Sequence, residues 1–335
     1  MISRRKLGNK QEDFDNWADK VGLLTGIRQL DDEKYQNTPE VCALETLLSE
    51  AKVAPKWLAD LDSPFYLPYR SGVFQRVTSA LAHTVTRLGL TLSDKDPTLD
   101  VEVAQCLPNL LAVCLSGSCS HNRSTEADRR CHMNALLSCL FDFQGSSKMF
   151  HGNERPLRLP EPVSDAGVIP DSSVFFTIDP ILFAGLRERI AQGCTVVHPS
   201  SPLPSGQVLH SVTEYKRKLG LTESRQQVQE GLTSALYQRR ALGFMDHFVF
   251  GTSHHNRTSL EVVAASWVSA DEEAPPDRTM EIDNAPGRKT EGDEAKLVGD
   301  SKRRNKIAIY SLGIFSMGDV GPQPTKKHLQ IGQWR

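Results

Sequence analysis

Gln207-Val-Leu-His-Ser-Val-Thr-Glu214-Tyr-Lys216 decides how the rest of the chain is read. It follows the loop Pro199-Ser-Ser-Pro-Leu-Pro-Ser-Gly206 and has the length and composition of a β-strand. Residues two apart on a strand share a face, so Glu214 and Lys216 project together while Tyr215 points away. The strand therefore ends by presenting a carboxylate and an ammonium on one surface.

The flanking segments supply a context for that pair. Upstream, Val174-Phe-Phe-Thr-Ile-Asp179 is a β-branched and aromatic run stopped by Pro180, which predicts a second strand. Before it lies a Pro-rich connection, Pro156 to Pro170, with room for a short strand. Ser124-Thr125-Glu126 opens a helix running to about Phe143, its apolar stripe formed by Met133, Leu136, Leu137 and Leu140. Downstream, Val228, Leu232, Ala235, Leu236 and Leu242 recur at helical spacing, and Gly243 stands where a C-terminal glycine cap belongs. Phe248-Val-Phe-Gly251 and Leu260 to Val268 then read as strands. The order is helix, short strand, strand, strand, helix, strand.

Outside this middle the chain changes character. Residues 1–118 read as a helical region, in which Val73, Val77, Leu81, Val85 and Leu88 mark one buried helical face. Residues 119–269 hold the α/β core. From 270 to 306 apolar residues nearly vanish among Asp, Glu, Lys, Arg, Pro and Gly, as in a disordered insertion. Residues 307–335 return to strand composition at Ile307-Ala-Ile-Tyr-Ser-Leu-Gly-Ile-Phe315 before a tail, so a sheet is expected to resume there.

Composition narrows the function classes. Lys and Arg number 39 against 41 Asp and Glu, a net charge of -2, so no global basic field announces a nucleic-acid partner and any anion site must be local. The apolar stretch Leu107 to Leu115 is far shorter than the roughly 20 residues that cross a bilayer, so no membrane partner is expected. Met1-Ile-Ser-Arg-Arg-Lys6 lacks an apolar segment behind it, which argues against a secretory leader and for an intracellular setting, nuclear or cytoplasmic. Seven cysteines without a C-x-x-C pair read as free thiols rather than a disulfide framework.

With Asp179 on one strand, Glu214-Tyr-Lys216 on the next and a helix on each side, residues 120–255 resemble the PD-(D/E)XK nuclease superfamily. They are similar also to fungal proteins that carry this core, in which a helix beginning Glu-Ala-x-Arg-Arg, here Glu126-Ala-Asp-Arg129-Arg130, precedes the strands. The resemblance implies an αβββαβ restriction-endonuclease-like core in an α/β mixed-sheet fold, with an N-terminal helical region and added C-terminal strands. It implies a divergent metal-dependent nuclease that hydrolyses phosphodiesters of nucleic acid. The alternative is a catalytically inactive nuclease-like scaffold acting as a protein-interaction module.

The candidate roles follow from charge and position. Asp179 and Glu214 would hold Mg2+ or Mn2+, hard cations that take oxygen ligands. Lys216 would orient a water or stabilise charge. Glu126, seven residues before Met133 and so on the helix's apolar stripe, is the auxiliary acid and third ligand, unless Arg130 is the partner that satisfies it. Gln229, with Gln226, lies beside the second helix's apolar stripe and is a weaker member of the site. Asp171, after Pro170, is the rival to Asp179; the latter is preferred for its place at the far end of the apolar strand.

Overall fold

The strands gather into one seven-stranded mixed sheet, with helices on both of its faces. The computed structural model describes residues 11–118, 126–142, 148–160, 167–177, 207–215, 221–254, 259–269 and 304–316. In chain order the helices are α1 (Gln11–Lys20), α2 (Pro39–Ala51), α3 (Val73–Arg87), α4 (Pro97–Ser118), α5 (Glu126–Phe141) and α6 (Leu221–Ala241). The strands are β1 (Arg28–Gln29), β2 (Val53–Pro55), β3 (Thr91–Ser93), β4 (Met149–Asn153), β5 (Leu157–Arg158), β6 (Gly167–Val168), β7 (Ser172–Thr177), β8 (Gln207–Glu214), β9 (Val249–His254), β10 (Ser259–Ser269) and β11 (Arg304–Ser316).

The main sheet runs β1-β11-β10-β9-β8-β7-β4. Its β1–β11 and β8–β9 pairs are parallel, and the others are antiparallel. Parallel neighbours need a crossover, and α6 supplies the one between β8 and β9. The helix comes close because small residues line the contact. A Cβ on Gly251 would sit 2.4 Å from Val228 Cγ1, and one on Gly231 would sit 2.9 Å from Val212 Cγ1. Beside α6 on this face, α1 buries Phe14 and Trp17 in the same cluster as Leu209, Leu232, Trp267 and Ile309. Gly243, at φ +89°, ends α6 in the left-handed conformation expected of its cap.

The opposite face is covered in two places. Val41 and Leu44 of α2 pack on Ala264, Val268, Ala308 and Tyr310. Near the other edge, Ser138 of α5 bonds His151 of β4 at 2.9 Å. A separate helical layer buries Leu58, Tyr66, Val77, Leu81, Val85, Leu107 and Leu111.

Several expectations are modified. Within the helical region read for residues 1–118, α1 belongs to the main core and β1 forms an edge of the main sheet. Two residues of strand are too few to show a period. The Pro-rich stretch holds β5 and β6, which pair only with each other, while the strand beside β7 is β4, just upstream. On α3 the middle of the expected face is buried, but Val73 and Leu88 at its ends are exposed. Leu107 to Leu115 is the end of a longer helix: Pro97–Leu115 of α4, with a hydropathy of 1.3, is long and apolar enough to cross a membrane by length and composition. Leu107 and Leu111 of that helix are buried in the helical layer.

The sheet does resume as expected. β11 pairs antiparallel with β10 from Ser259↔Ser316 to Ser269↔Arg304. The polar stretch between those strands, residues 270–303, lies outside the described residues.

Candidate active site

β7 and β8 run antiparallel, with Ser172 opposite Thr213 and Thr177 opposite Gln207. This register carries the start of β7, not its end, to Glu214. Asp171, one residue before β7, therefore meets Glu214: its backbone N–H donates to Glu214 Oε2 at 3.2 Å. The Asp171 carboxylate turns toward the next residue of β8 and accepts the Tyr215 backbone N–H at Oδ2, 2.7 Å. Asp171, the rival to Asp179, is thus the acid beside Glu214, while Asp179 itself lies outside the described residues. Thr177, the end of β7 that leads to Asp179, lies seven residues of β8 away from Glu214, about 23 Å at 3.3 Å per residue.

α5 contributes the cation. Arg130 Nη1 bonds Asp171 Oδ1, and Arg130 Nη2 bonds Glu154 Oε1 at 2.6 Å. Glu154 directly follows β4 and has φ +48°, a left-handed backbone that costs a non-glycine residue about 1 kcal/mol. The turn brings its N–H to the Asp171 carbonyl at 3.2 Å while its carboxyl meets Arg130. Two carboxyl groups, Asp171 and Glu154, thereby share one guanidinium, with Glu214 bonded to the Asp171 backbone beside them.

Burial sharpens the electrostatics. Glu214 is 2% exposed and Asp171 9%, so both carboxyls sit where water screens little. Burial by itself would lower the Arg130 pKa, but hydrogen bonds and charge from Glu154 and Asp171 hold it above its ordinary value. The Tyr215 phenol is raised well above its usual range, first by burial and then by the nearby Asp171 charge. The Glu214 carbonyl accepts the Ser224 hydroxyl of α6 at 3.1 Å, which ties the end of β8 to the helix that crosses over it.

The remaining sequence candidates divide into two groups. Asp179 and Lys216 lie outside the described residues, as does the side chain of Glu126, whose backbone begins α5. Gln229 lines an open cleft of about 450 Å³ between α1, residues 23–29 and the start of α6, together with Gln226, Arg225 and Glu261. Gln226 donates its amide to Gln11 Oε1 of α1 at 2.9 Å.

Glu261 was not legible as a site residue, yet it is 2% exposed and accepts Arg225 Nε at 2.7 Å and the Ser253 hydroxyl at 3.4 Å. Its position follows from register. Ser253 is opposite Glu214 on one side and Glu261 on the other, so a row of polar residues crosses the sheet at the C-terminal end of β8. Asp171 extends that row by its bond to Glu214.

The donor set is all oxygen, the chemistry preferred by magnesium and manganese. Each Asp171 carboxylate oxygen accepts one hydrogen bond and keeps a second lone pair. Glu214 meets Asp171 through its backbone N–H rather than carboxyl to carboxyl, and Arg130 holds one of the Asp171 carboxylate oxygens. Among the described residues no group of three His, Cys, Asp or Glu side chains is arranged to hold a metal ion. Compared with family models, with curated proteins and with solved structures, the chain matches none.

Proposed function

We propose that this chain is a divergent PD-(D/E)XK-type nuclease, with Pro170-Asp171 and Glu214-Tyr-Lys216 as its motif. The observation that carries the reading is the bond from the Asp171 backbone to Glu214 Oε2, which joins the two acids at one end of an antiparallel strand pair. The element order supports it too: with the small β5–β6 pair inserted between β4 and β7, the order α5, β4, β7, β8, α6 and β9 is that of the αβββαβ core, with α5 and α6 on opposite faces.

In this reading Asp171 and Glu214 hold Mg2+ or Mn2+, with Glu126 as auxiliary acid. The ion, when bound, would acidify a coordinated water and offset charge on the phosphate. Ser224 and the Tyr215 N–H fix the positions of the two acids. Lys216 is the lysine of the motif by its place two residues after Glu214. Glu154 and Arg130 set the charge beside them.

The second reading, an inactive nuclease-like scaffold, has one observation in its favour. Arg130 already supplies a positive charge to Asp171, the role a metal would otherwise fill. Calorimetry with magnesium or manganese, run beside cleavage of plasmid and oligonucleotide, separates the two. The nuclease reading expects metal-dependent cleavage that Asp171→Ala, Glu214→Ala and Lys216→Ala each abolish and Asp179→Ala leaves intact. Wild-type protein that neither binds the metals at millimolar concentration nor cuts would establish the scaffold instead.

A further inference from the structure

α4 and α5 pack side by side, and each brings a cysteine to the seam. Cys106 Sγ and Cys139 Sγ stand 3.4 Å apart, and the Cys139 thiol also reaches the Gln105 carbonyl at 3.6 Å. A disulfide requires about 2.05 Å between sulfurs, so closure asks for a movement of about 1.4 Å, within reach of small side-chain rotations. Cys106 is 5% exposed, while Cys139 is half-buried and offers the route for an oxidant. Of the other described cysteines, Cys42 and Cys131 are exposed, and Cys114 is buried with its thiol pushed up to about 11, chiefly by that burial. A thiol held protonated reacts slowly.

We propose that Cys106 and Cys139 are a reversible oxidation site at which a peroxide forms a disulfide between α4 and α5. The chemistry balances in two steps. The Cys139 thiol gives up its proton, the thiolate attacks one oxygen of hydrogen peroxide, the O–O bond breaks, and the released hydroxide takes that proton, so that a sulfenic acid and one water result. Cys106 then attacks the Cys139 sulfur, the S–O bond breaks, and the second water leaves with the Cys106 proton. Two thiols are oxidised by two electrons and the peroxide is reduced; a dithiol reductant reverses the result.

The consequence lies in what the two helices carry. α4 belongs to the helical layer, and α5 carries Arg130, nine residues or about 13 Å of helix before Cys139. The disulfide therefore fastens the helix of the acidic site to the helical layer. This inference does not depend on the nuclease reading.

The test uses the full-length protein, folded, treated with hydrogen peroxide, then denatured and alkylated before peptide mapping by mass spectrometry. Cys106 and Cys139 are expected in one cross-linked peptide pair, 2 Da lighter than the sum of the two thiol peptides, and absent after dithiothreitol. The oxidised protein is expected to melt about 5 °C higher than the reduced protein, as a disulfide closing a loop of this length gives. The shift should vanish in Cys139→Ser, whose half-buried position tolerates the change, and in Cys106→Ser. Recovery of both cysteines alkylated after peroxide, or cross-linking of Cys139 to a different cysteine, overturns the pairing. A cross-link with no change in melting overturns the fastening of the helices.

Discussion

Two arginine–carboxylate sites lie on one row across the sheet and differ in their accounting of charge. At Glu261, a single buried carboxylate meets a single arginine, Arg225, with the Ser253 hydroxyl as a further donor. Charge is matched one to one, and the arginine comes from the adjacent helix. At Asp171, two carboxylates, Asp171 and Glu154, share Arg130, which reaches them from the helix on the other face, and Glu214 adjoins them through the Asp171 backbone N–H. A matched buried pair balances its charge, whereas two carboxylates on one arginine leave a surplus of negative charge, part of which water screens because Glu154 is exposed.

The largest expected effect breaks the matched side. Arg225→Ala leaves the Glu261 carboxylate buried with only a hydroxyl donor, and urea unfolding should show a loss of about 3 kcal/mol, somewhat reduced by the partial exposure of Arg225. A loss below about 1 kcal/mol would mean that Glu261 is not held as a matched charge.

A pH series sharpens the comparison once the histidine contribution is removed. His210 lies against Phe176 and Phe250, and burial, with the Arg239 charge adding to it, lowers its pKa from 6.5 to about 4. The folded state thus binds fewer protons than the unfolded state between these values. Stability from this residue is fully present above pH 6.5, falls as the pH drops toward 4, and levels off below. The loss over this range should be about 3 kcal/mol, and His210→Phe should flatten that part of the stability curve. Burial lowers His151 as well, in the same direction.

On the surplus side, Asp171→Asn and Glu214→Gln should each change stability by no more than about 1 kcal/mol, because relief of repulsion offsets the lost interactions. Each should weaken magnesium or manganese binding at least tenfold in calorimetry. Destabilisation equal to that of Arg225→Ala would remove the distinction between the two sites. The smallest effect is expected from replacing residues 270–303 with a short Gly/Ser turn. Ser269 and Arg304 are already paired, so the melting temperature should move by no more than about 2 °C and both carboxylate sites should be untouched.

Elements with a strong local pattern were the legible ones. The repeat of Val228, Leu232 and Leu236 and the glycine after it located α6, and the apolar runs located β7, β8, β10 and β11. Glu214 was legible because its strand was. Its partner was not, since the choice between Asp171 and Asp179 depends on strand direction and register, which are properties of a pair of strands. Arg130 could be read as a helix residue facing inward, but its contact with Asp171 and Glu154 joins residues up to 41 positions apart. Glu154 gave no signal, because nothing in its own side chain announces a left-handed backbone. Glu261 appeared only as a polar break in an apolar strand, although two cross-strand pairings place it in the polar row.

The parallel pairing of β1 with β11 has a consequence in time. Arg28 and Tyr310, opposite each other in that pair and bonded at 3.3 Å, are separated by 282 residues. At about 5–20 residues per second, a ribosome needs about 15–60 s to pass from one to the other. Throughout that interval β1 has no edge to join, and Leu23, which bridges to Ile307 and is buried beside Trp17, cannot complete its packing. Among the described residues the last strand made is therefore the one that captures the first, and the nascent chain must keep its early apolar residues from other partners until then.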